Sequence, residues 1–487
     1  MKNTKVGISG LSTYFPPYKI NLENWSDWSN INWEKISHVV GNSFRMKGPD
    51  QSIYTLAASA VLKLIDQYNI DPSSISFLGL GTESSTDNSA GAIIIKGIVD
   101  KALKQKGLNL INRNCEVPEF KHACLGGIYA LKNALRSLAL DSRKSCAIVV
   151  SADIATYAIG SSGEATQGAG AVAILLEKNP KLLEVDLNNI GSASSYREID
   201  FRKPLLRNLI KGKVNGHFQD IPVFNGKYTN ACYLDETVYA LKDMLMKCNY
   251  NPEDYFKEVG AIFMHRPYHF MPITSLAMSY LFSLSWNKNS HIRLKEFCEE
   301  ANVNFNEIID EMSSTPDFLT AAKTGNIDQT IYPKTINLLK KFREMPFFKN
   351  LIKEKITLGS KLMKDIGNVY CAALPAWLAA GLEEAAKKGI ELENKTILVL
   401  GYGSGDAAES IPMKVAKGWK NEALKICFEE SLQSYQDLSK EQYNDLHENG
   451  HAKNLSPPNT GFVIDSIGSN ANSMYSDEGI EYYRFIG

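Results

Sequence analysis

The sequence is short of the features that would mark a secreted, membrane-bound or nucleic-acid-binding protein. No apolar run in its 487 residues reaches the roughly 18 that suggest a membrane span. The N-terminus, MKNTKVGISG, is too polar and too soon strand-like for a secretory leader. The eight cysteines (Cys115, Cys124, Cys146, Cys232, Cys248, Cys298, Cys371, Cys427) contain no CxxC pair and no metal-ligand spacing, so neither a disulfide framework nor a metal site is implied. Scattered thiols of this kind suit a reducing, cytoplasmic setting. Charge of one sign is also missing. The 53 Lys and Arg nearly balance the 54 Asp and Glu, and the formal net charge of −1 gives no broad basic surface for nucleic acid or membrane. There is no low-complexity tract and no flexible linker.

What is present is an ordinary globular composition, 44% hydrophobic and 22% charged, in a chain long enough for two or three domains or one large double domain. Val6 to Ser12 reads as a strand. Ile53 to Tyr68 reads as a helix, with Leu56, Ala57, Ala60, Leu64 and Ile65 on one face. Ile75–Gly81, Cys146–Ser151 and Gly168–Leu176 are apolar runs without alternation, as for strands buried on both faces. Helical patterns stand between them, which predicts parallel crossover units in an α/β sheet.

The second half repeats this order. Ala261–Met264 is a buried strand ending in His265-Arg266-Pro267. Gly367-Asn368 opens an apolar helix through Ala372, Leu374, Ala379 and Leu382. Thr396–Leu400 is a strand ending in the GYGSG loop at 401–405. The spacing predicts a fold-level duplication, with one half at 1–180 and another at 181–487. The stretch from about 275 to 361 reads as a helical insertion, a solvated cover. The closing aromatics of the tail should pack onto the core.

Chemistry is suggested where these elements end, since parallel sheets place sites at the carboxyl ends of their strands. The run Lys121-His122-Ala123-Cys124-Leu125-Gly126-Gly127 sets a cysteine at or near the first turn of a helix, where the dipole favours thiolate. Glu83, Asp153, His265 and Ser404 follow strands, and Asn368 opens a helix. A thiolate can take an acyl group from a thioester. A carboxylate can move a proton next to a carbonyl. His and Asn can donate to an oxygen gaining charge. Taken singly, each has a plainer reading: a buried cysteine, a loop carboxylate, a core histidine, a helix cap, a turn serine.

Together they carry a resemblance. In order along the chain, GLGTESSTD, PEFKHACLGGIYALKNAL, GEATQGAGAVAILLEKNP, IDFRKP, GKYTNACYLDE, IFMHRP, IGNVYCAALPAWLAAGLEE and GYGSG resemble the hydroxymethylglutaryl-CoA synthase family of the thiolase superfamily. The resemblance implies a thiolase-like α/β fold of two pseudo-symmetric halves in αβαβα layers. It implies that Cys124 is acetylated by acetyl-CoA and that Glu83 is the general acid/base. His265, assisted by Asn368, would orient and polarise acetoacetyl-CoA. Asp153, Asp200 and Ser404 would support the site or touch substrate, Thr166, Phe201 and Tyr402 would line the pocket, and Arg266 would be the strong cation nearby. No metal or resident cofactor is implied, only coenzyme A thioesters as substrates. A cytoplasmic homodimer in mevalonate and isoprenoid synthesis is the expectation.

Two departures stand out. Leu125 takes the place of the family's tyrosine, and the run from His265 to Thr274 has no lysine to approach the phosphates of coenzyme A. An acceptor thioester on an acyl carrier protein, as in polyketide β-branching, is therefore the alternative. A head-to-head acyl-condensing relative and a non-catalytic scaffold are further ones; a scaffold would need no such set of residues.

Overall fold

The protein is described by a computed structural model that covers residues 4–85, 88–200, 225–327, 331–472 and 474–487. Its first half runs β1 (Val6–Tyr14), β2 (Tyr18–Asn21), α1 (Leu22–Ser29), α2 (Trp33–Val39), β3 (Ser43–Met46), α3 (Ile53–Tyr68), β4 (Ile75–Gly81), α4 (Gly91–Gln105), β5 (Glu119–Phe120), α5 (Gly126–Leu140), β6 (Cys146–Ala155) and β7 (Gly168–Lys178). The second half runs β8 (Leu183–Val185), β9 (Gly191–Ser194), α6 (Gly226–Cys248), α7 (Pro252–Glu258), β10 (Ala261–Met264) and α8 (Met271–Ser285). It continues through α9 (His291–Glu300), α10 (Phe305–Met312), α11 (Phe318–Lys323), α12 (Pro333–Phe342), α13 (Pro346–Lys355), α14 (Ala373–Lys387), β11 (Thr396–Gly403) and β12 (Ala407–Val415).

The unalternating apolar runs do become strands buried on both faces, and they are paired in the same way twice. In the first half the order is β5-β4-β6-β7-β1, with β4 and β6 parallel and the next two pairings antiparallel. In the second, β10 and β11 are parallel, β11 and β12 antiparallel, and β12 pairs antiparallel with both β8 and β9. Thus β4 corresponds to β10, β6 to β11, β7 to β12, and β1 to the broken strand β8–β9. Strand β8 also pairs with β1, which joins the two arrays into one ten-stranded system.

Helices α5 and α14 fill the space between the arrays. A Cβ added to Gly401 on β11 would lie 2.7 Å from Leu125 and 3.6 Å from Leu374, while α5 also packs on β4 and β6. α3 covers the outer face of the first array and α6 that of the second. The result is the layered αβαβα arrangement. The end of β4 and the start of α5 approach so closely that both need glycine. A Cβ on Gly81 would stand 2.3 Å from the Gly127 Cα, and one on Gly127 2.1 Å from the Ser151 Oγ. This contact fixes the Cys124 stretch against the strand that leads to Glu83.

Two elements differ from the sequence reading. The helix expected to open at Asn368 begins at Ala373, after a 3₁₀ turn over Tyr370–Ala372. The segment around 275–361 is more than a solvated cover. Tyr280 of α8 stacks on Phe342 at 5.7 Å, and Phe297 meets Phe342 edge-on at 4.9 Å, so α9, α12 and α13 build an aromatic core against α8. The tail packs as expected: Gly461–Ile467 pairs with Glu481–Ile486, and Phe462 and Phe485 join the core over α3. All eight cysteines are free. Among the described residues no helix is long and apolar enough to cross a membrane.

Candidate active site

Strand ends from both halves meet at a cavity of about 260 Å³ between the two arrays. Cys124, Thr166, His265, Asn368, Tyr402 and Ser404 all line it. Cys124 sits just before α5, whose N-cap is Leu125, and its Sγ lies 3.6 Å from Glu83 Oε2, with the thiol as donor. Ala155, Tyr157 and Tyr370 form a small buried cluster with Cys124. The thiolate expected from the helix position is not the resting form. Burial pushes the thiol well above its ordinary range, and the charge of Glu83 pushes it further. Attack on a thioester then requires the thiol proton to leave during the step, and the Glu83 carboxylate is placed to receive it.

Asp153 works underneath. It is wholly buried, and one carboxylate oxygen accepts from Thr82 Oγ1, the Glu83 and Ser84 N–H groups and Ser84 Oγ. The other accepts from the Cys371 N–H at 2.8 Å. Burial raises its pKa, and these bonds oppose that. Asp153 therefore ties the Glu83 loop to the turn before α14, and it is absent from the cavity wall.

His265 ends β10. Its N–H donates to the Leu400 carbonyl, and its own carbonyl accepts from Tyr233 Oη at 2.7 Å. Burial lowers its pKa to about 3, so the imidazole is neutral at physiological pH and serves as a hydrogen-bonding group, not a cation. Its Nδ1 has no hydrogen-bond partner among the described residues. Asn368 Oδ1 accepts from the Tyr370 N–H at 3.0 Å, which leaves the amide NH₂ to donate.

The remaining expected residues are distributed as follows. Tyr402 Oη lies within hydrogen-bond distance of two carboxyl oxygens, Asp200 Oδ2 at 2.8 Å and Asp406 Oδ1 at 2.9 Å, and its single proton serves one of them, so Asp200 stands behind Tyr402 and does not line the cavity. Arg266 does not line it either. Its guanidinium lies over Trp377 at 5.2 Å, donates to Ser360 Oγ at 2.9 Å and meets His269, and burial lowers its pKa to about 9. Phe201 falls outside the described residues. Sequence reasoning missed four tyrosines of the wall: Tyr157, Tyr233, Tyr268 and Tyr370. Tyr233 and Tyr370 stood inside the quoted motifs, two signals that were available.

The buried neutral His265 has a consequence for stability. An unfolded chain protonates this histidine below about pH 6.5, whereas the native state resists until about pH 3. The unfolded state thus binds the extra proton, and native stability falls as pH drops through that window. His265→Asn should flatten urea stability against pH between 6.5 and 3, by up to about 1.4 kcal/mol per pH unit. An unchanged slope would show that His265 does not titrate in this way.

Comparison with known proteins identifies the family and the fold. Residues 2–181 match the family described as hydroxymethylglutaryl-coenzyme A synthase N terminal, and residues 217–460 the corresponding C terminal family. The hydroxymethylglutaryl-CoA synthase of Haloferax volcanii is 25% identical over 463 residues, covering 93% of each chain. Hydroxymethylglutaryl-CoA synthase A of Dictyostelium discoideum is 27% identical, over 85% of this chain and 77% of its own. In fold, the chain is similar to MvaS solved in complex with 3-hydroxy-3-methylglutaryl coenzyme A, with TM-score 0.77 at 23% identity and full coverage of both chains. It is also similar to the curacin pathway HMG synthase solved with acetyl donor-ACP, with TM-score 0.70 at 17% identity over 99% of this chain and all of that one. With both family models matched in order along most of its length, the chain belongs to the hydroxymethylglutaryl-CoA synthase family.

Proposed function

We propose that the protein condenses the acetyl group of acetyl-CoA with acetoacetyl-CoA to give 3-hydroxy-3-methylglutaryl-CoA through an acetyl-Cys124 intermediate. The observation that carries this is the 3.6 Å approach of Glu83 to the Sγ of Cys124, which lines a cavity together with His265 and Asn368 while Glu83 stands behind it. Cys124 Sγ bonds to the acetyl carbonyl carbon, and the coenzyme A sulfur leaves with the proton that the thiol gives up. Glu83 then takes a proton from the acetyl methyl group. The resulting carbanion bonds to the ketone carbon of acetoacetyl-CoA, and the Glu83 carboxyl returns its proton to the new alkoxide. Neutral His265 and the Asn368 amide donate to oxygens that gain charge, where a dry site makes such bonds strongest. Water hydrolyses the Cys124 thioester and restores the thiol. The reaction needs no metal and no resident cofactor.

A second reading keeps the chemistry and moves the acceptor to a carrier protein. It is favoured by the run after His265, which lacks lysine, and by Arg266, which turns inward onto Trp377. Turnover of labelled acetyl-CoA with acetoacetyl-CoA, then with acetoacetyl-carrier protein, separates the two. The larger kcat/KM identifies the acceptor, and no product with either overturns the synthase reading.

The protein acts in the cytosol as a homodimer. The first array ends at the short edge strand β5, and exposed Ile93, Leu108 and Leu110 lie on the elements leading to that edge. Light scattering at micromolar concentration should give about twice the chain mass of 54.1 kDa. A fully active monomer would refute this.

A further inference from the structure

The two middle-layer helices begin alike. α5 and α14 each have fifteen residues, and each follows a capping residue in right-handed conformation, Leu125 and Ala372, that makes no side-chain cap bond. Before each cap stands a cysteine, Cys124 and Cys371. Before each cysteine stands a non-glycine residue at positive φ, Ala123 at 41° and Tyr370 at 42°. The counterpart of Cys124 in the second half is therefore Cys371, and Asn368 lies three positions earlier.

Left-handed backbone at a residue with a Cβ is strained and persists only where its surroundings hold it. Here the second turn holds the first. Cys371 Sγ donates to the Ala123 carbonyl at 2.9 Å, while the Gly126 N–H approaches the same oxygen only to 3.4 Å. Cys371 in turn is anchored by its N–H on Asp153, the residue that also gathers the Glu83 loop. A Cβ on Gly126 would already be 3.4 Å from the Cys371 sulfur, so the thiol is closely confined.

We infer that Cys371 is a positioning residue for acyl transfer: its thiol grips the Ala123 carbonyl and so sets the turn that presents Cys124 to Glu83. The inference rests on the reading of Cys124 as acyl acceptor, and it gives the second half's equivalent cysteine a task distinct from nucleophilic attack.

The test compares Cys371→Ala, which removes the donor, with Cys371→Ser, which keeps one. Acetylation of the Cys124 peptide by saturating acetyl-CoA is followed by mass. Cys371→Ala should acetylate roughly 3- to 10-fold more slowly, the size of one net hydrogen bond, with little change in half-saturation. Cys371→Ser should come back to within about 2-fold of the parent, as a hydroxyl makes the same bond. Ala at the parent rate, or Ser no better than Ala, overturns the inference. If Cys371→Ala does not fold, the nearly isosteric pair Cys371→Val and Cys371→Thr makes the same comparison. Failure of the parent itself to acetylate would count against the synthase reading, and the inference is then read from the pH profile of Cys124 alkylation by iodoacetamide. That profile should shift by roughly half a pH unit or more in Cys371→Ala and return in Cys371→Ser; superimposable profiles overturn it.

Discussion

Cys124→Ala is expected to abolish both acetyl-enzyme formation and condensation, with turnover down by more than about 10⁴-fold. No other thiol can stand in. Cys371, the neighbouring cysteine, spends its proton on the Ala123 carbonyl, and burial holds it well above its ordinary range. Fold should be kept, because the cavity already opens beside Cys124 and alanine fits the same turn. The check is incubation with labelled acetyl-CoA, peptide mapping and a turnover assay. Label on a different peptide, or turnover within tenfold of the parent, would remove Cys124 from the mechanism.

Glu83→Ala should separate the half-reactions. In acetylation two effects oppose each other. The variant loses the acceptor for the thiol proton, but it also loses the negative charge that raises the Cys124 thiol. Acetyl-enzyme should therefore still accumulate, at a reduced rate. Condensation has no such compensation. It needs a base at the acetyl methyl and then an acid at the alkoxide, and loss of one general acid–base group costs roughly 10²–10⁴-fold. Rapid-quench measurement of acetyl-enzyme beside steady-state product formation reads both steps. Condensation within a few-fold of the parent would place the base elsewhere.

Much of the fold was legible because its strands are buried on both faces and read as unbroken apolar runs. Ile75–Gly81 and Ala261–Met264 appear in the structure with those bounds. The helix Ile53–Tyr68 was equally plain from its apolar face. Strand β12 was not, since Glu409, Ser410 and Pro412 interrupt it. Glu409 is tolerated inside because Lys132 of α5 meets it at 2.6 Å, an ion pair no local pattern reveals. The site was legible as residue types at strand ends, but its wiring was not. Asp153 was expected to support the site or touch substrate, and only the structure shows both its oxygens taken up by backbone and hydroxyl donors, as a supporting residue's would be. Arg266 looked like an available cation, and its guanidinium is folded into the core over Trp377. The thiol's state also depended on its surroundings: helix position alone argued for thiolate, and burial, with the charge of the neighbouring carboxylate added to it, outweighs that.

The parallel pairing of β10 with β11 has a cost during synthesis. Ala261 must wait for Ile397, so about 136 residues are made before the strand that leads into His265 gains its partner, roughly 7–27 s at ordinary elongation rates. The four apolar residues of β10 present an open edge to the cell through that interval. The first half can close its own sheet meanwhile, since β1 and β7 are complete by residue 178. Nascent chains thus pass through a stage with one finished half and one sticky strand, the stage at which holding chaperones would decide yield.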